Sequence, residues 1–339
     1  MTERYSRQIL FPGIGISGQE KLRGSKVVLI GMGALGSAHA ETLARAGVGK
    51  LRLIDRDFVE SSNLQRQTLY SEADAEQRLP KAIAAAKRIR EINSDIETEP
   101  VIADVNASNI EELISDADLV LDGSDNFLVR YTLNDAAVKL GVNWIYGAAV
   151  SGYGATMTIR PGKTPCLACV FEEMPEPGSG PTCDTAGVIQ PIIQTISAIQ
   201  TTEALKILCS HEEKLHGGLI QTDIWENQWR RISLGEPSQD CRCCAKREFD
   251  FLRPDSTESI TTMCGRDAIQ IRPAGSACFD LDSLVGRLGQ FEDIKSNEFL
   301  VRFNAEGFEI TVFADGRAIV RGTDDPTVAK GIYSRYVGA

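Results

Sequence analysis

The segment 27–55 reads VVLIGMGALGSAHAETLARAGVGKLRLID, and it decides the fold. It begins with an apolar run typical of a buried strand, continues with Gly31-x-Gly33-x-x-Gly36, and then carries an alanine-rich helical stretch. A second apolar strand follows and ends on Asp55. Glycines at this spacing let a backbone turn tightly and approach a phosphate, and an acidic residue about 20 positions further on is typical of ribose binding. The segment therefore predicts a nucleotide-binding βαβ unit.

The loop after this unit bears on the kind of nucleotide. The glycine motif alone is typical of NAD- or FAD-dependent dehydrogenases. Residues 62–67, however, read SNLQRQ, a polar and cationic loop beside the predicted nucleotide. An enzyme that handles a triphosphate needs such a loop, because fixed donors must meet the charge that develops on the phosphates. The loop therefore favours triphosphate chemistry over hydride transfer.

Composition excludes several classes of protein. The chain has 339 residues, 42% hydrophobic and 24% charged, with a net charge of −11. An acidic balance argues against binding to a nucleic-acid backbone, which requires a basic face. The N-terminal residues lack the apolar core of a signal peptide, and no run of about 18 apolar residues predicts a membrane span. We expect a cytoplasmic protein, in which nine cysteines indicate metal or reactive thiols before disulfides.

Hydrophobic patterning predicts an α/β fold, a Rossmann-like and mostly parallel sheet in residues 1–250, followed by a small α+β module of unknown role in 251–339. The predicted strands of the first domain are 27–30, 51–54, 97–103, 119–122, 143–147, 152–160, 218–223 and 229–234. Asp125 and Asn126 follow the strand 119–122 and precede a predicted helix, 127–140. Asp125 is placed either to cap that helix or to bind a magnesium ion on the phosphates.

Two Cys-x-x-Cys pairs are the strongest metal signal. Cys166 and Cys169 lie in a predicted surface crossover, 161–188, and Cys241 and Cys244 follow the last strand of the first domain. Four thiolates in a reducing compartment predict a tetrahedral structural zinc site that clips the crossover. The alternative is two unrelated thiol pairs. Cys243 is interpreted as a bystander inside the second pair.

Taken together, these motifs resemble the ThiF/MoeB family of adenylyltransferases, the bacterial relatives of ubiquitin-activating enzymes. The resemblance covers roughly residues 3–248. It rests on RYSRQ (4–8), the glycine loop, Asp55, SNLQRQ (62–67), Pro80-Lys81, Asp125-Asn126 and the paired cysteines. The stretch around Cys183 is similar to the one that carries the sulfur-relay cysteine of the thiazole (ThiF) branch. The C-terminal module is similar to the tail of a longer ThiF and is not a rhodanese domain, so a separate sulfur donor protein is implied.

The resemblance implies that the terminal Gly-Gly carboxylate of a ubiquitin-like sulfur carrier attacks ATP, which gives an acyl-adenylate and pyrophosphate. Asp55 would hold the ribose, Asp125 would bind Mg²⁺, and Arg7 would reach into the partner's site of a homodimer. Cys183 would carry the sulfur chemistry. The remaining nucleotide contacts implied by the resemblance are Gly31, Gly33, Ala34, Gly36, Ser62, Asn63, Leu64, Gln65, Arg66, Lys81 and Asn126.

We expect a ThiS-like carrier and a role in thiazole and thiamine synthesis. Three alternatives stay open: a MoaD-like carrier for molybdopterin synthesis, an NAD-dependent dehydrogenase, and a scaffold that binds a carrier without activating it.

Overall fold

The computed structural model describes residues 3–175, 186–253, 259–263, 267–272, 279–289, 291 and 294–338. The chain divides into two compact units, Met1–Arg253 and Pro254–Ala339, beside the sequence-based boundary at 250/251. No helix in the described part of the chain is both long enough and apolar enough to cross a membrane.

The first unit is built on an eight-stranded sheet with the order β3-β2-β1-β4-β5-β6-β7-β8. The strands are β1 (Lys26–Ile30), β2 (Lys50–Asp55), β3 (Glu97–Ile102), β4 (Leu119–Asp122), β5 (Trp144–Val150), β6 (Tyr153–Ile159), β7 (Gly218–Asp223) and β8 (Gln228–Ser233). The first five pair in parallel and the last three are added antiparallel. The predicted α/β class with a mostly parallel sheet is confirmed.

Helices surround this sheet in the described part of the first unit. They are α1 (Ser6–Ile9), α2 (Gly15–Gly24), α3 (Ala34–Ala46), α4 (Glu72–Glu76), α5 (Lys81–Ile92), α6 (Ile110–Ile114), α7 (Phe127–Leu140), α8 (Leu167–Val170) and α9 (Gln190–Leu208). Short 3₁₀ turns occur at Glu3–Tyr5, Ser61–Asn63, Glu212–Lys214 and Asp250–Leu252. The predicted strand 119–122 and helix 127–140 are confirmed at both ends.

Strand β1 is buried on both faces from its second residue onward, which explains why residues 27–30 are all apolar. Val27 and Leu29 of β1 point into one hydrophobic cluster, and Val28 and Ile30 point into another. This alternation follows from the two-residue period of a strand. Helix α3 ends at Gly47, whose φ of +84° places it in the left-handed region that favours glycine.

The order of the strands places a crevice between β1 and β4. From β1 the chain moves outward through β2 to β3, and it then returns to β4 on the other side of β1. In open α/β sheets, ligands bind outside the carboxyl ends of the strands at such a reversal. The glycine loop follows β1 and the Asp125 loop follows β4, so both predicted elements border the crevice.

In its described residues the second unit is a six-stranded antiparallel sheet with two helices, as the prediction of a small α+β module expected. Its order is β11-β12-β13-β14-β10-β9. The strands are β9 (Ser259–Met263), β10 (Ala268–Arg272), β11 (Lys295–Ser296), β12 (Leu300–Ala305), β13 (Phe308–Phe313) and β14 (Ala318–Arg321), with helices α10 (Leu281–Arg287) and α11 (Pro326–Tyr336). The sequence patterns predict strands 268–272, 299–304, 307–313 and 317–321 and helices 281–289 and 325–337 in this module, and they did not predict β9 and β11.

Candidate active site

The glycine loop is shaped by close contact with the loop after β4. Gly31 has a φ of +83°, and a Cβ there would lie 2.8 Å from the carbonyl oxygen of Gly123. A Cβ on Gly36 would lie 1.8 Å from the carbonyl oxygen of Gly31. Around Gly33, by contrast, the nearest atom beyond its chain neighbours is 3.9 Å from an added Cβ. Packing therefore explains the first and third glycines, and it leaves the space above the second one open for a ligand.

Asp55 holds the glycine loop against β2. Its Oδ2 accepts a 2.6 Å hydrogen bond from the backbone N–H of Met32, and its Oδ1 accepts one of 2.7 Å from Asp57. Burial raises the pKa of Asp55, and the ammonium group of Lys81 acts in the opposite direction. Each carboxylate oxygen keeps a second acceptor site, so this geometry is compatible with a ribose hydroxyl as a further partner.

Lys81 lies in the same cluster at the start of α5. Its side chain is 6% exposed, and its Nζ is 3.5 Å from Oδ2 of Asp57. The hydroxyl of Tyr70 lies 2.6 Å from the carbonyl oxygen of Met32 and 3.3 Å from that of Lys81. These contacts join the glycine loop to the first turn of α5. The ammonium group of Lys81 and the predicted phosphate-binding loop therefore lie in the same part of the fold.

The loop 61–67 presents a mixture of buried and exposed polar groups. Asn63 is buried and its Oδ1 accepts a 3.1 Å hydrogen bond from the N–H of Glu60, which stabilises the local turn. Arg66 donates from Nη1 to the carbonyl oxygen of Ser62 at 2.9 Å. Ser62 and Gln65 are exposed, whereas Leu64 packs against the core. The loop thus keeps a guanidinium group at the surface on a short, fixed turn.

Asn126, and not Asp125, caps helix α7. Its Oδ1 accepts the N–H groups of Leu128 and Val129 at 2.8 and 3.3 Å. Asp125 is exposed and makes no hydrogen bond or ion pair with the described residues. Of the two roles weighed for Asp125, capping is therefore excluded, and its carboxylate stands at the carboxyl end of β4.

A buried ion pair beneath Asp125 was missed by the sequence analysis. Asp122, the last residue of β4, is fully buried and its Oδ2 lies 3.1 Å from Nε of Arg130. Arg130 also donates from Nη2 to the carbonyl oxygens of Ser124 (2.7 Å) and Gly147 (3.0 Å). Burial raises the pKa of Asp122, whereas the guanidinium group favours its ionised form. The pair fixes the loop that carries Asp125.

Arg7 lies on the N-terminal arm, which is anchored to the rest of the unit by its neighbours. Arg4 donates from Nη1 to the carbonyl oxygen of Ile92 at 2.9 Å, and Nδ2 of Asn93 donates to the hydroxyl of Tyr5 at 2.8 Å. Arg7 itself is exposed and has no hydrogen bond or ion pair within the described chain. Leu10, 71% exposed, lies on the same arm. The arm thus exposes one positively charged and one apolar side chain.

The four predicted cysteines converge. Cys166 lies 3.8 Å from Cys169 and 3.6 Å from Cys241, and Cys169 lies 3.4 Å from Cys244, measured between sulfur atoms. All four sulfur atoms lie within 4.8 Å of one another. Zinc–sulfur bonds of about 2.3 Å in a tetrahedron place sulfur atoms about 3.8 Å apart. The donor set and its spacing therefore fit zinc.

The same crowding disfavours free thiolates. The hydrogen bond with Cys166, together with burial, raises the pKa of Cys169 to about 12. Burial and the neighbouring thiols raise the pKa of Cys244 to about 12. A divalent cation reverses this preference, because a coordinated thiol is deprotonated.

Helix α7 supports both cysteine pairs. Asn134 accepts the N–H of Leu167 at 2.8 Å through Oδ1 and donates from Nδ2 to Sγ of Cys243 at 3.2 Å. Cys243 is buried but lies outside the four-sulfur cluster. Asn134 thus fixes the segments that carry the two pairs, although neither Leu167 nor Cys243 is one of the four predicted ligands. Cys183 lies outside the described residues.

Comparison with known proteins agrees with this geometry. A sequence model of the ThiF family matches residues 5–243. The chain is 44% identical over 340 residues to the sulfur carrier protein ThiS adenylyltransferase of Bacillus subtilis, which covers 100% of both chains. It is 40% identical to the SAMP-activating enzyme E1 of Haloferax volcanii, over 74% of this chain and 91% of that one. The solved structure of E. coli MccB with ATP has the same fold, at 24% identity and a TM-score of 0.63, over 72% of this chain and 75% of that one.

Proposed function

Because the chain belongs to the ThiF family, we propose that it is an adenylyltransferase acting on a ubiquitin-like sulfur-carrier protein of the ThiS type. A carboxylate oxygen of the carrier's C-terminal glycine forms a bond to the α-phosphorus of ATP. The bond from that phosphorus to the bridging oxygen breaks, and pyrophosphate leaves with the electron pair. The full-length identity of 44% to the ThiS adenylyltransferase carries this proposal. It favours adenylation over an NAD-dependent dehydrogenase.

ATP would lie on the glycine loop. The open space above Gly33 and the free N–H groups at the start of α3 suit a phosphate. Asp55, already bonded to the N–H of Met32, would accept a ribose hydroxyl as well. Gly31, Ala34 and Gly36 would contribute through the backbone. Membership of the family and the cluster of Asp55 and Lys81 both support ATP binding.

The triphosphate would be neutralised from two sides. Arg66 and Lys81 would supply positive charge, and Ser62, Asn63, Leu64 and Gln65 would hold the loop and its donors in place. Asp125, with Asn126 next to it, would hold Mg²⁺ through its exposed carboxylate. Bound Mg²⁺ would neutralise charge on the phosphates. Groups fixed in this way favour the charge that develops on pyrophosphate as it leaves.

The proposal also includes a structural metal site and a homodimer. The four cysteines Cys166, Cys169, Cys241 and Cys244 would hold one structural zinc. The chain would act as a homodimer in the cytoplasm, with Arg7 of one protomer completing the site of the other. The exposed arm that carries Arg7 supports this arrangement.

Cys183 would take part in the later transfer of sulfur, which a separate donor protein would supply for thiazole and thiamine synthesis. The support is the resemblance of its sequence context. Cys183→Ser should keep ATP–pyrophosphate exchange, since adenylation needs only the phosphate site, and should block sulfur transfer to the carrier. Full sulfur transfer by this variant would remove the assigned role of Cys183 and leave adenylation in place.

The proposed activity is tested by carrier-dependent exchange of labelled pyrophosphate into ATP. We expect exchange with a ThiS-like carrier ending in Gly-Gly, and much less with a MoaD-like carrier. Arg66→Ala should lower the rate by about 100-fold or more, as loss of a charge-stabilising donor does. Arg90→Ala removes an exposed guanidinium group from the far end of α5 and should leave the rate unchanged. Absence of exchange with every Gly-Gly carrier would refute the proposed function.

A further inference from the structure

The side-chain amide of Gln67 is buried and has no hydrogen-bond partner among the described residues. Its side chain is 4% exposed, and its Oε1 is buried without a hydrogen-bond partner. Its Nε2 also makes no hydrogen bond to the described residues. A buried polar group without a partner destabilises a fold, which is why nearly all such groups are paired. Oε1 is sealed inside the protein, whereas Nε2 is not fully buried, so Nε2 is the group that a partner from outside the chain can reach.

The position of Gln67 identifies where that partner binds. Its Nε2 lies 4.0 Å from the point that a Cβ on Gly33 would occupy. Apart from Gly33 and its two chain neighbours, only this amide and the carbonyl oxygen of Gly123 approach that point within 4 Å among the described residues. The amide thus borders the same open space that the glycine loop leaves above Gly33.

The backbone around Gln67 is fixed, so its side chain is held in place before a ligand binds. The N–H of Gln67 donates to the carbonyl oxygen of Asn63 at 3.0 Å, and its own carbonyl accepts from Tyr70 at 3.4 Å. The hydroxyl of Tyr70 in turn contacts the carbonyl oxygen of Met32 in the glycine loop. One short turn therefore ties Gln67 to the loop that it faces.

We infer that Gln67 is a nucleotide-binding residue whose side-chain N–H₂ donates a hydrogen bond to a phosphate oxygen of the ATP on the glycine loop. This inference rests on the proposed function and adds a contact to it. Phosphate oxygens only accept hydrogen bonds, and the Nε2 group is the donor that glutamine offers. A neutral donor at this point adds to Arg66 and Lys81 without placing another charge in a buried position.

The test uses the opposite effects that removal of the amide should have on stability and on affinity. Gln67→Met keeps the length of the side chain and removes its polar atoms. Without nucleotide, its melting temperature should equal or exceed that of the wild type, because an unpaired buried polar group has been replaced by an apolar one. The Kd for ATP should rise about tenfold to a hundredfold, the range for a hydrogen bond to a charged group. Melting curves and equilibrium dialysis with ATP alone measure the two quantities.

Gln19→Met is the matched control for stability. Gln19 is another buried glutamine, at 3% exposure, but its Nε2 donates to the carbonyl oxygen of Ala46 at 3.0 Å and its Oε1 accepts from Gln8 at 2.7 Å. Its replacement should lower the melting temperature. Gln67→Glu is the second test variant, because a carboxylate facing phosphate should weaken ATP binding more than methionine does.

The outcomes are distinct. A Gln67→Met variant with a lowered melting temperature and an unchanged Kd for ATP would make Gln67 a structural residue and overturn the inference. A Gln67→Glu variant with wild-type affinity for ATP would overturn it as well. If the wild-type protein binds no ATP, the proposed function itself fails, and the inference fails with it. ATP affinity that falls in the order wild type, Gln67→Met, Gln67→Glu supports the inference.

Discussion

At the start of α7, the amide of Asn126 caps the helix, and the carboxylate of the adjacent Asp125 does not take part in the cap. Asn126 accepts the first N–H groups of the helix at 2.8 and 3.3 Å, and Asp125 next to it stays exposed without a hydrogen bond to the described residues. A carboxylate that is not needed by the helix is free for a cation. The two residues can therefore be tested separately.

Asp125→Ala should abolish magnesium-dependent pyrophosphate exchange and leave the free energy of unfolding unchanged, since the side chain is exposed and caps nothing. The measurements are exchange at saturating carrier and urea unfolding. Asn126→Ala is the control, and it should lower stability by about 1 kcal/mol through loss of the cap. Wild-type exchange by the Asp125 variant would show that this carboxylate does not hold the metal.

Arg130→Met should destabilise the first unit strongly, because it leaves the fully buried Asp122 without its ion-pair partner. Breaking a buried pair in this way costs about 3–5 kcal/mol. The double variant Arg130→Met/Asp122→Asn removes the unpaired charge and should recover part of the loss. Denaturant unfolding of the three proteins checks this. A loss in the single variant no larger than that of the double variant would argue against a charged Asp122.

One zinc per chain is expected after purification without chelators, as measured by elemental analysis. Cys166→Ser and Cys244→Ser should lose metal and thermal stability together, since metal binding is coupled to folding. Cys209→Ser is the control, because Cys209 is also buried but lies outside the cluster. Full zinc content in the Cys166 and Cys244 variants would refute the four-cysteine site.

His39 should make stability depend on pH below neutrality. Burial lowers the pKa of His39 from 6.5 to about 4, against a smaller opposing effect of its hydrogen bond with Gln200. The unfolded chain therefore binds this proton first, so the stabilisation is complete above pH 6.5 and is lost as the pH falls towards 4. Between pH 7.5 and 5 this loss amounts to about 2 kcal/mol. His39→Met should remove that part of the slope in urea unfolding, and an unchanged slope would exclude His39 as its source.

Much of the architecture could be predicted from the sequence, because local patterns specify it. The βαβ unit, for example, is indicated by residues that are close in sequence: the run VVLI before Gly31 and the helical stretch that ends at Gly47. The cysteine spacing likewise predicted a cluster that the structure confirms.

The contacts that were missed depend on residues distant along the chain or on burial. Arg130 looks like an ordinary helix residue until the fold places it against Asp122 and the carbonyl oxygen of Gly147. Gln67 becomes conspicuous only because its oxygen is buried without a partner. The two-residue strand Lys295–Ser296 is too short to produce a period at all.

Helix α7 connects two parts of the molecule that share no ligand. Its cap, Asn126, stands beside Asp125, and about eight residues further on the helix carries Asn134, which bonds the segments of both cysteine pairs. At 1.5 Å per residue, Asn126 and Asn134 are about 12 Å apart along the helix axis. Removal of the proposed zinc would free the segments that Asn134 bonds at one end of α7, and so disturb the position of Asp125 at the other end. Loss of exchange on zinc removal, with Mg²⁺ supplied in excess, would then report a coupling through the helix and not a missing metal at the reaction centre.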